Sequence, residues 1–246
     1  MDYDIFAEYY DLLTEDVDYP KRSEYLLKLF DKFDRRPSLL LDIGCGTGGF
    51  SVEFAKRGIE VIGVDPSDNM LNIAAVKAKK EGVDILFLNQ SGEELDLYGT
   101  VDGAVSCLDT VNHITDKRTL QRFFNKISLF LEKERLFIFD VNTLYKHENI
   151  LGNNTYVYDT EKVYCVWQNF FDKKTSTTDI SLDFFYESEG AYQRSSEYFS
   201  ERVYDKELLE KMLNRAGLKL LKVLGENSFS SPSKTSQRNI YITKKE

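Results

Sequence analysis

The run LLLDIGCGTGG, residues 39–49, constrains this chain most, because it joins an apolar strand to a glycine-dense turn through one acidic residue, Asp42. Leu39, Leu40, Leu41 and Ile43 have the pattern of a strand buried on both faces. Gly44, Gly46 and Gly48 remove the side chains that would hold a ligand off the backbone. Phe50, Val52, Phe54 and Ala55 then open a helix. This order suits a nucleotide-like ligand, and Gly44, Gly46 and Gly49 also satisfy the literal dinucleotide pattern. The glycines alone do not separate the possible ligands, so the next strand has to.

That strand lies in IEVIGVDPSDNML, residues 59–71, where Val61 to Val64 end in Asp65, a carboxylate able to accept both hydroxyls of a ribose. Together, Asp42-x-Gly44-x-Gly46-x-Gly48 and Asp65-x-Ser67-x-x-Met70-Leu71 resemble the class I S-adenosylmethionine (SAM) dependent methyltransferases. The resemblance implies a Rossmann-like fold with SAM as cofactor and S-adenosylhomocysteine as its product. It sets Gly44, Cys45, Gly46 and Gly48 against the methionine portion of SAM, Asp65 on the ribose and Met70 on the adenine.

An acid ending the second strand also reads the ribose of NAD in the dinucleotide fold, which makes an NAD-dependent oxidoreductase the rival reading. Two features favour SAM. Asp42 stands two residues before the first glycine, where its charge suits a cationic amino acid and a sulfonium; a dinucleotide loop receives a pyrophosphate that an added carboxylate would repel. The chain also lacks an evident second catalytic domain.

At 246 residues and 42% hydrophobic, the chain can build one substantial core and a small appended region. Its apolar runs are far shorter than the about twenty residues of a membrane span, and MDYDIFAEYYDLL has neither a basic region nor a cleavable apolar segment. A soluble, cytoplasmic protein without a membrane partner is expected. Cys45, Cys107 and Cys165 are widely spaced and form no CxxC pair, so neither a disulfide framework nor a metal site is indicated, and all three read as small packing residues. A formal charge of −9 argues against a nucleic-acid partner and favours a small-molecule acceptor. Lys77, Lys79 and Lys80 fall late in a helix starting near Ser67, where positive charge complements the helix dipole.

Apolar strands near 38–43, 60–64, 84–88, 101–107 and 135–141 alternate with helical segments, the signature of a parallel sheet with helices on both faces. Tyr25, Leu26, Leu29 and Phe30 mark an amphipathic helix before the first strand; Leu120, Phe123, Phe124 and Ile127 mark another before the fifth. From about 154 to 202 the period becomes two, with Ile180, Leu182, Phe184 and Tyr186 on one face and Val163, Cys165 and Trp167 in a second row. A helix from about Asp205 ends near Gly217, and strands follow near 218–224 and 238–243. The predicted architecture is a three-layer α/β/α doubly wound sheet of seven strands, for which the resemblance implies the order 3-2-1-4-5-7-6 with strand 7 antiparallel. Residues 1–150 and 204–246 form the SAM-binding core, and 151–203 form an inserted antiparallel β lid or substrate subdomain.

Ligands of doubly wound sheets bind beyond the carboxyl ends of the strands. In LNQSGEELDL, Ser91 stands where the family often has an acid on the adenine amino group, so Gln90, Ser91 or the Gly92 backbone takes that place. In CLDTVNHI, residues 107–114, Cys107 and Leu108 line the cofactor by the same resemblance, Asp109 and Asn112 are candidates for substrate contact, and His113 is the candidate catalytic residue. FAEYYDLL resembles the segment with which small methyltransferases cover SAM, with Tyr9 and Tyr10 as its contacts. In the insertion, an aromatic row of Trp167, Phe184, Tyr186 and Tyr198 would enclose a ring-bearing or apolar acceptor or pair two subunits, leaving monomer and homodimer both open. A sulfonium is an activated methyl donor, so in-line attack needs alignment and exclusion of water more than an acid/base pair. The readings carried forward are a small-molecule methyltransferase, a SAM-binding regulator without turnover and an NAD-dependent oxidoreductase.

Overall fold

A computed structural model describes residues 4–246; the first three residues of the N-terminal segment lie outside the described residues. The chain runs through α1 (Asp4–Leu13), α2 (Tyr19–Phe33), β1 (Leu39–Ile43), α3 (Gly49–Ala55), β2 (Glu60–Asp65), α4 (Asp68–Glu81), β3 (Leu86–Asn89) and β4 (Gly103–Ser106). It continues through α5 (Thr110–His113), α6 (Lys117–Phe130) and β5 (Leu136–Asn142) into β6 (Thr155–Asp159), β7 (Val163–Asp172), β8 (Thr177–Ser188) and β9 (Ala191–Arg202). It closes with α7 (Lys206–Arg215), β10 (Leu218–Gly225) and β11 (Arg238–Lys245).

Four helices begin where a short polar side chain takes up a free backbone N–H. Asp18, Ser67, Asp116 and Asp205 accept from Lys21, Met70, Thr119 and Leu208 at the starts of α2, α4, α6 and α7. Each such cap stabilises its helix by about 1 kcal/mol. Gly82 ends α4 with a left-handed φ of 68°.

The seven-stranded sheet has the order β10-β11-β5-β4-β1-β2-β3, with β11 antiparallel to β5 and to β10. Its middle strands are buried on both faces. Phe137 and Phe139 of β5 face α6 and α7, stacking with centroids 4.9 Å apart, and Tyr241 of β11 continues the stack at 5.0 Å from Phe139. Leu136 and Ile138 point the other way, toward the side packed by α2 and α3. The parallel topology sends β1, β2, β4 and β5 to one edge, where their carboxyl ends deliver the loops of the site.

Strands β6 to β9 form a separate four-stranded antiparallel sheet in sequence order. Val163, Cys165, Ile180, Leu182, Phe184 and Phe199 on its inner face pack with Phe6, Ala7, Tyr9 and Leu13 of α1 and with Met70 of α4. Helix α1 is therefore clamped between this sheet and the core. Its Asp11 accepts from Thr47 Oγ1 of the glycine turn at 2.6 Å and from Lys77 Nζ of α4 at 2.9 Å. No helix of the described residues is long and apolar enough to cross a membrane.

Candidate active site

The glycine turn is pinned to the neighbouring strand by its own backbone. Gly44 and Cys45 donate to the Val64 carbonyl at 2.7 and 3.1 Å, and Gly46 donates to Asp65 Oδ2 at 2.9 Å. Asp65 Oδ1 accepts from Ser67 N, so this carboxylate bridges the turn to the start of α4. The turn's glycines have different jobs. A Cβ on Gly44 would lie 2.4 Å from Thr110 Oγ1, whereas a Cβ on Gly46 would meet nothing within 4 Å: Gly46 borders open space. A Cβ on Gly48 would strike Ala74 of α4, so that glycine serves helix packing and does not reach the cavity.

A cavity of about 170 Å³ opens against Gly44, Cys45 and Gly46, with Asp42, Asp65, Met70, Cys107, Leu108 and Tyr10 among its walls. Asp42 is almost wholly buried, accepts from Ser51 Oγ at 2.6 Å, and is pushed up to about 6 by burial, with Asp65 adding to the shift. Burial also raises Asp65 against the stabilising N–H groups of Ser67 and Gly46. Two desolvated carboxylates, Asp42 buried and Asp65 half-buried, make this cavity receptive to a cation. Burial raises the thiols of Cys45 and Cys107 well above their ordinary value, which keeps them inert walls. A second space, about 440 Å³, shares Gly44, Pro66, Thr110 and His113 and extends to Gln90 and Ser91. The Gln90 amide is engaged at both ends with the Asp96 backbone, leaving Ser91 as the freer polar group there.

Beyond β4 the backbone is strained in a way the sequence did not announce. Leu108 and Asp109 both take positive φ, 54° and 60°. Asp140, at the end of β5, holds them there: its two oxygens accept from Leu108 N at 2.9 Å and Asp109 N at 2.7 Å. Arg238, at the start of β11, then grips both acids, reaching Asp140 at 2.7 Å and Asp109 at 2.9 Å. This turn aims His113 at the cavity. The ring stands 3.7 Å from Asp109 Oδ1 and packs on Phe199 with centroids 5.1 Å apart. Burial disfavours the charged ring, but Asp109 and Glu201 outweigh it and raise the His113 pKa.

His113, Tyr10, Phe6 and Leu108 also border a third cavity, about 350 Å³, roofed by the antiparallel sheet. Trp167, Tyr156 and Tyr158 line it together with Lys146, Glu201, Asp109 and Arg238. Glu201 projects from β9 and is raised by burial and by Asp109. His147, wholly buried, is pushed down to about 4 by desolvation. Its Nε2, without a hydrogen-bond partner among the described residues, lies 3.7 Å from Glu201 Oε2. Donor atoms of Asp109, His113 and Glu201 lie within 4.8 Å of one another, a spacing a metal ion could use. Arg238 and Lys146 already supply positive charge to these acids, and both would oppose a further cation.

Besides Gly48, three sequence-derived assignments change in the structure. Tyr9 turns away from the cavities and packs on Phe184 and Tyr186, because successive residues of a helix cannot share one face; Tyr10 is the cavity residue. Asn112 is wholly buried and serves as a brace: it donates to Arg202 O at 2.8 Å and accepts from Asn142 N at 2.8 Å. Tyr198 is 67% exposed, because strand alternation sends Phe199 and Glu201 inward and Tyr198 to the outer face, away from Phe184. The reading of all three cysteines as packing residues suits Cys165 in the inserted sheet, whereas Cys45 and Cys107 are also cavity walls. Sequence reasoning missed Asp140, Asn142, Lys146, Glu201 and Arg238. Only Asp140 left a signal, as a charge ending the apolar run LFIF.

A family model for a methyltransferase domain matches residues 40–134. A predicted methyltransferase of Geobacillus sp. (strain WCH70) is 30% identical over 247 residues, covering 100% of both chains. A predicted methyltransferase of Bacillus subtilis (strain 168) is 29% identical, covering 100% of this chain and 98% of the relative. The crystal structure of an S-adenosylmethionine-dependent methyltransferase from Clostridium acetobutylicum ATCC 824 superposes with a TM-score of 0.87 at 30% identity, covering 96% of each chain. With the sheet order, the glycine turn and the acid-lined cavity, these likenesses establish that the chain belongs to the class I S-adenosylmethionine-dependent methyltransferases.

Proposed function

We propose that this enzyme transfers the methyl group of SAM to a small molecule held in the cavity beneath the antiparallel sheet. The observation that carries the reading is that His113, Tyr10, Phe6 and Leu108 are walls of both the glycine-turn cavity and the sheet-roofed cavity, so the two ligands meet there. The residues of the first cavity fit SAM: buried Asp42 and half-buried Asp65 favour a cationic ligand, and open space faces Gly46. Bound SAM supplies a methyl group already activated on a sulfonium.

The chain's own contribution is placement. Asp65 accepts the ribose hydroxyls, Met70 packs on the adenine, and Ser91 lies at the adenine end. Asp42 balances the positive charge of the methionine portion. Helix α1 covers this cavity with Phe6 and Tyr10 and excludes water. Residues 151–203 act as a lid over the acceptor, and His113, oriented by Asp109, directs the acceptor toward the methyl group.

Ligand response tests the cofactor: SAM and S-adenosylhomocysteine should raise the melting temperature, and NAD(H) should not. Turnover is tested with labelled-methyl SAM and a metabolite extract. A labelled small product of defined mass supports the reading; SAM binding without any labelled product would favour a regulator.

A further inference from the structure

Within the sheet-roofed cavity, Lys146 and Glu201 share one carboxamide and both keep hydrogen-bonding capacity. Arg238 is committed to Asp140 and Asp109, and Asp109 to Arg238, Asn142 and His113. Lys146 Nζ donates to Asn142 Oδ1 at 3.0 Å, which uses one of its three protons. Glu201 accepts from Asn142 Nδ2 at 3.0 Å through Oε2, and its Oε1 accepts no hydrogen bond from the described residues. One carboxamide thus holds an ammonium and a carboxylate side by side at the cavity wall. Trp167 and Tyr158, ring centroids 6.3 Å apart, line the same cavity.

The pair discriminates among acceptors. A single charge on the acceptor is attracted by one member of the pair and repelled by the other, so neither an ammonium nor a carboxylate satisfies both. A neutral hydroxyl satisfies both partners, donating to Glu201 and accepting from Lys146. A planar ring carrying that hydroxyl suits the aromatic wall and a volume of about 350 Å³. Resting on the methyl-transfer reading above, we propose that the acceptor is a phenol-type hydroxyl on a planar ring, seated on Trp167 and Tyr158 with its oxygen between Lys146 and Glu201.

The hydroxyl proton passes to the Glu201 carboxylate as the oxygen forms its bond to the methyl carbon. The carbon–sulfur bond breaks with its electron pair remaining on sulfur, leaving a methyl ether and a thioether. Lys146 stabilises the negative charge that develops on the oxygen. His113, whose raised pKa suits it to donate, stays an orienting group at the junction.

The test uses full-length enzyme loaded with S-adenosylhomocysteine, its occupancy measured by calorimetry, and para-nitrophenol as the probe. Saturable binding with a rise in the coloured phenolate fraction at constant pH is expected. Lys146→Met should weaken binding about tenfold or more and abolish that rise, and Lys146→Arg should restore it. With SAM in place of S-adenosylhomocysteine, colour should fade as the methyl ether forms, and Glu201→Gln should slow this about 100-fold or more. Trp167→Phe, remote from the charges, should weaken the probe about threefold without altering the phenolate fraction of bound probe. Benzylamine and benzoate run in parallel. Binding of either in place of para-nitrophenol overturns the proposal, as does probe binding and colour unchanged in both charge variants. If S-adenosylhomocysteine itself does not bind, the methyl-transfer reading falls and this inference with it; if it binds and the phenol does not, this inference alone falls.

Discussion

The two cavities that meet at His113 are built on different principles. The floor of the glycine-turn cavity comes from residues 42–70, a short stretch in which backbone geometry does most of the positioning: Gly46 and Ser67 donate to one carboxylate, and Val64 tethers the turn. The sheet-roofed cavity is assembled from α1, the turn after β4, the segment after β5, and β6, β7, β9 and β11, with charged residues as far apart in the chain as Asp109 and Arg238. The first is a local motif that can be carried intact between proteins. The second depends on long-range ion pairs, so its specificity and its contribution to stability are coupled.

The largest effect should come from breaking that coupling. Arg238 is buried between Asp140 and Asp109, and Arg238→Met would leave Asp140 without its counterion and Asp109 with only the more distant Lys146 and His113. A loss of about 3–5 kcal/mol in denaturant unfolding is expected, with methyl transfer abolished because the Leu108–Asp109 turn loses its clamp. Normal stability in this variant would show that the acceptor wall is not held by charge. Asp65→Ala should act on the other cavity: SAM affinity should fall by about 1.5–3 kcal/mol in calorimetry. Its cost in stability should be smaller, because the N–H groups it releases border a cavity that water can enter. Unchanged affinity in the folded variant would remove Asp65 from the cofactor site.

The same division explains what the sequence made legible. The sheet alternation and the glycine turn follow from period and spacing over a few residues, Asp65 and Met70 were singled out by the family resemblance those residues carry, and each strand of the core lay within a few residues of its expected position. The inserted sheet was legible as alternation, but which face each residue took was not uniformly so. Tyr198 was expected beside Phe184, and the register Ser181↔Tyr198 and Ile180↔Phe199 sends it outward. Glu201 became a cavity residue by that same register, with no local mark in FSER. Asn112, polar within the turn after β4, read as a ligand contact when its amide in fact joins β5 to β9. Arg238 could be placed only by knowing that β11 returns beside β5.

A middle-sized effect is expected where the two regions touch. His113→Ala should leave SAM affinity nearly unchanged and lower turnover about tenfold, the size of a lost orienting contact. The pH profile identifies the role. A ring acting in its protonated form, as its raised pKa suits, gives an alkaline limb that vanishes in the variant. An acidic limb that vanishes instead would make His113 the base. Turnover equal to that of the wild type would leave it a packing residue against Phe199.

The smallest effect, and the one that sharpens the comparison most, concerns Asp42. Its folded-state pKa of about 6 lies above the ordinary carboxylate value of 3.8, so the ligand-free fold favours the protonated acid. Stability from this group is therefore full at low pH, declines as pH rises from about 4 to about 6, and stays at its reduced level above that. Asp42→Asn removes the charging step while keeping an oxygen for Ser51 Oγ, so at pH 7 the ligand-free variant should be more stable by about 1 kcal/mol. That gain should close as pH is lowered toward 4. The same substitution should weaken SAM binding, because the charge that burdens the empty cavity is the one that balances a cationic ligand. For the same reason, SAM affinity of the unaltered enzyme should fall as pH drops below about 6. Paired thermal unfolding and calorimetry at pH 7 and pH 5 would read both quantities. An Asp42→Asn variant that loses stability at pH 7 would mean that Ser51 compensates the buried charge in full, and the acid would then be a structural residue of β1 with no part in attracting the cofactor.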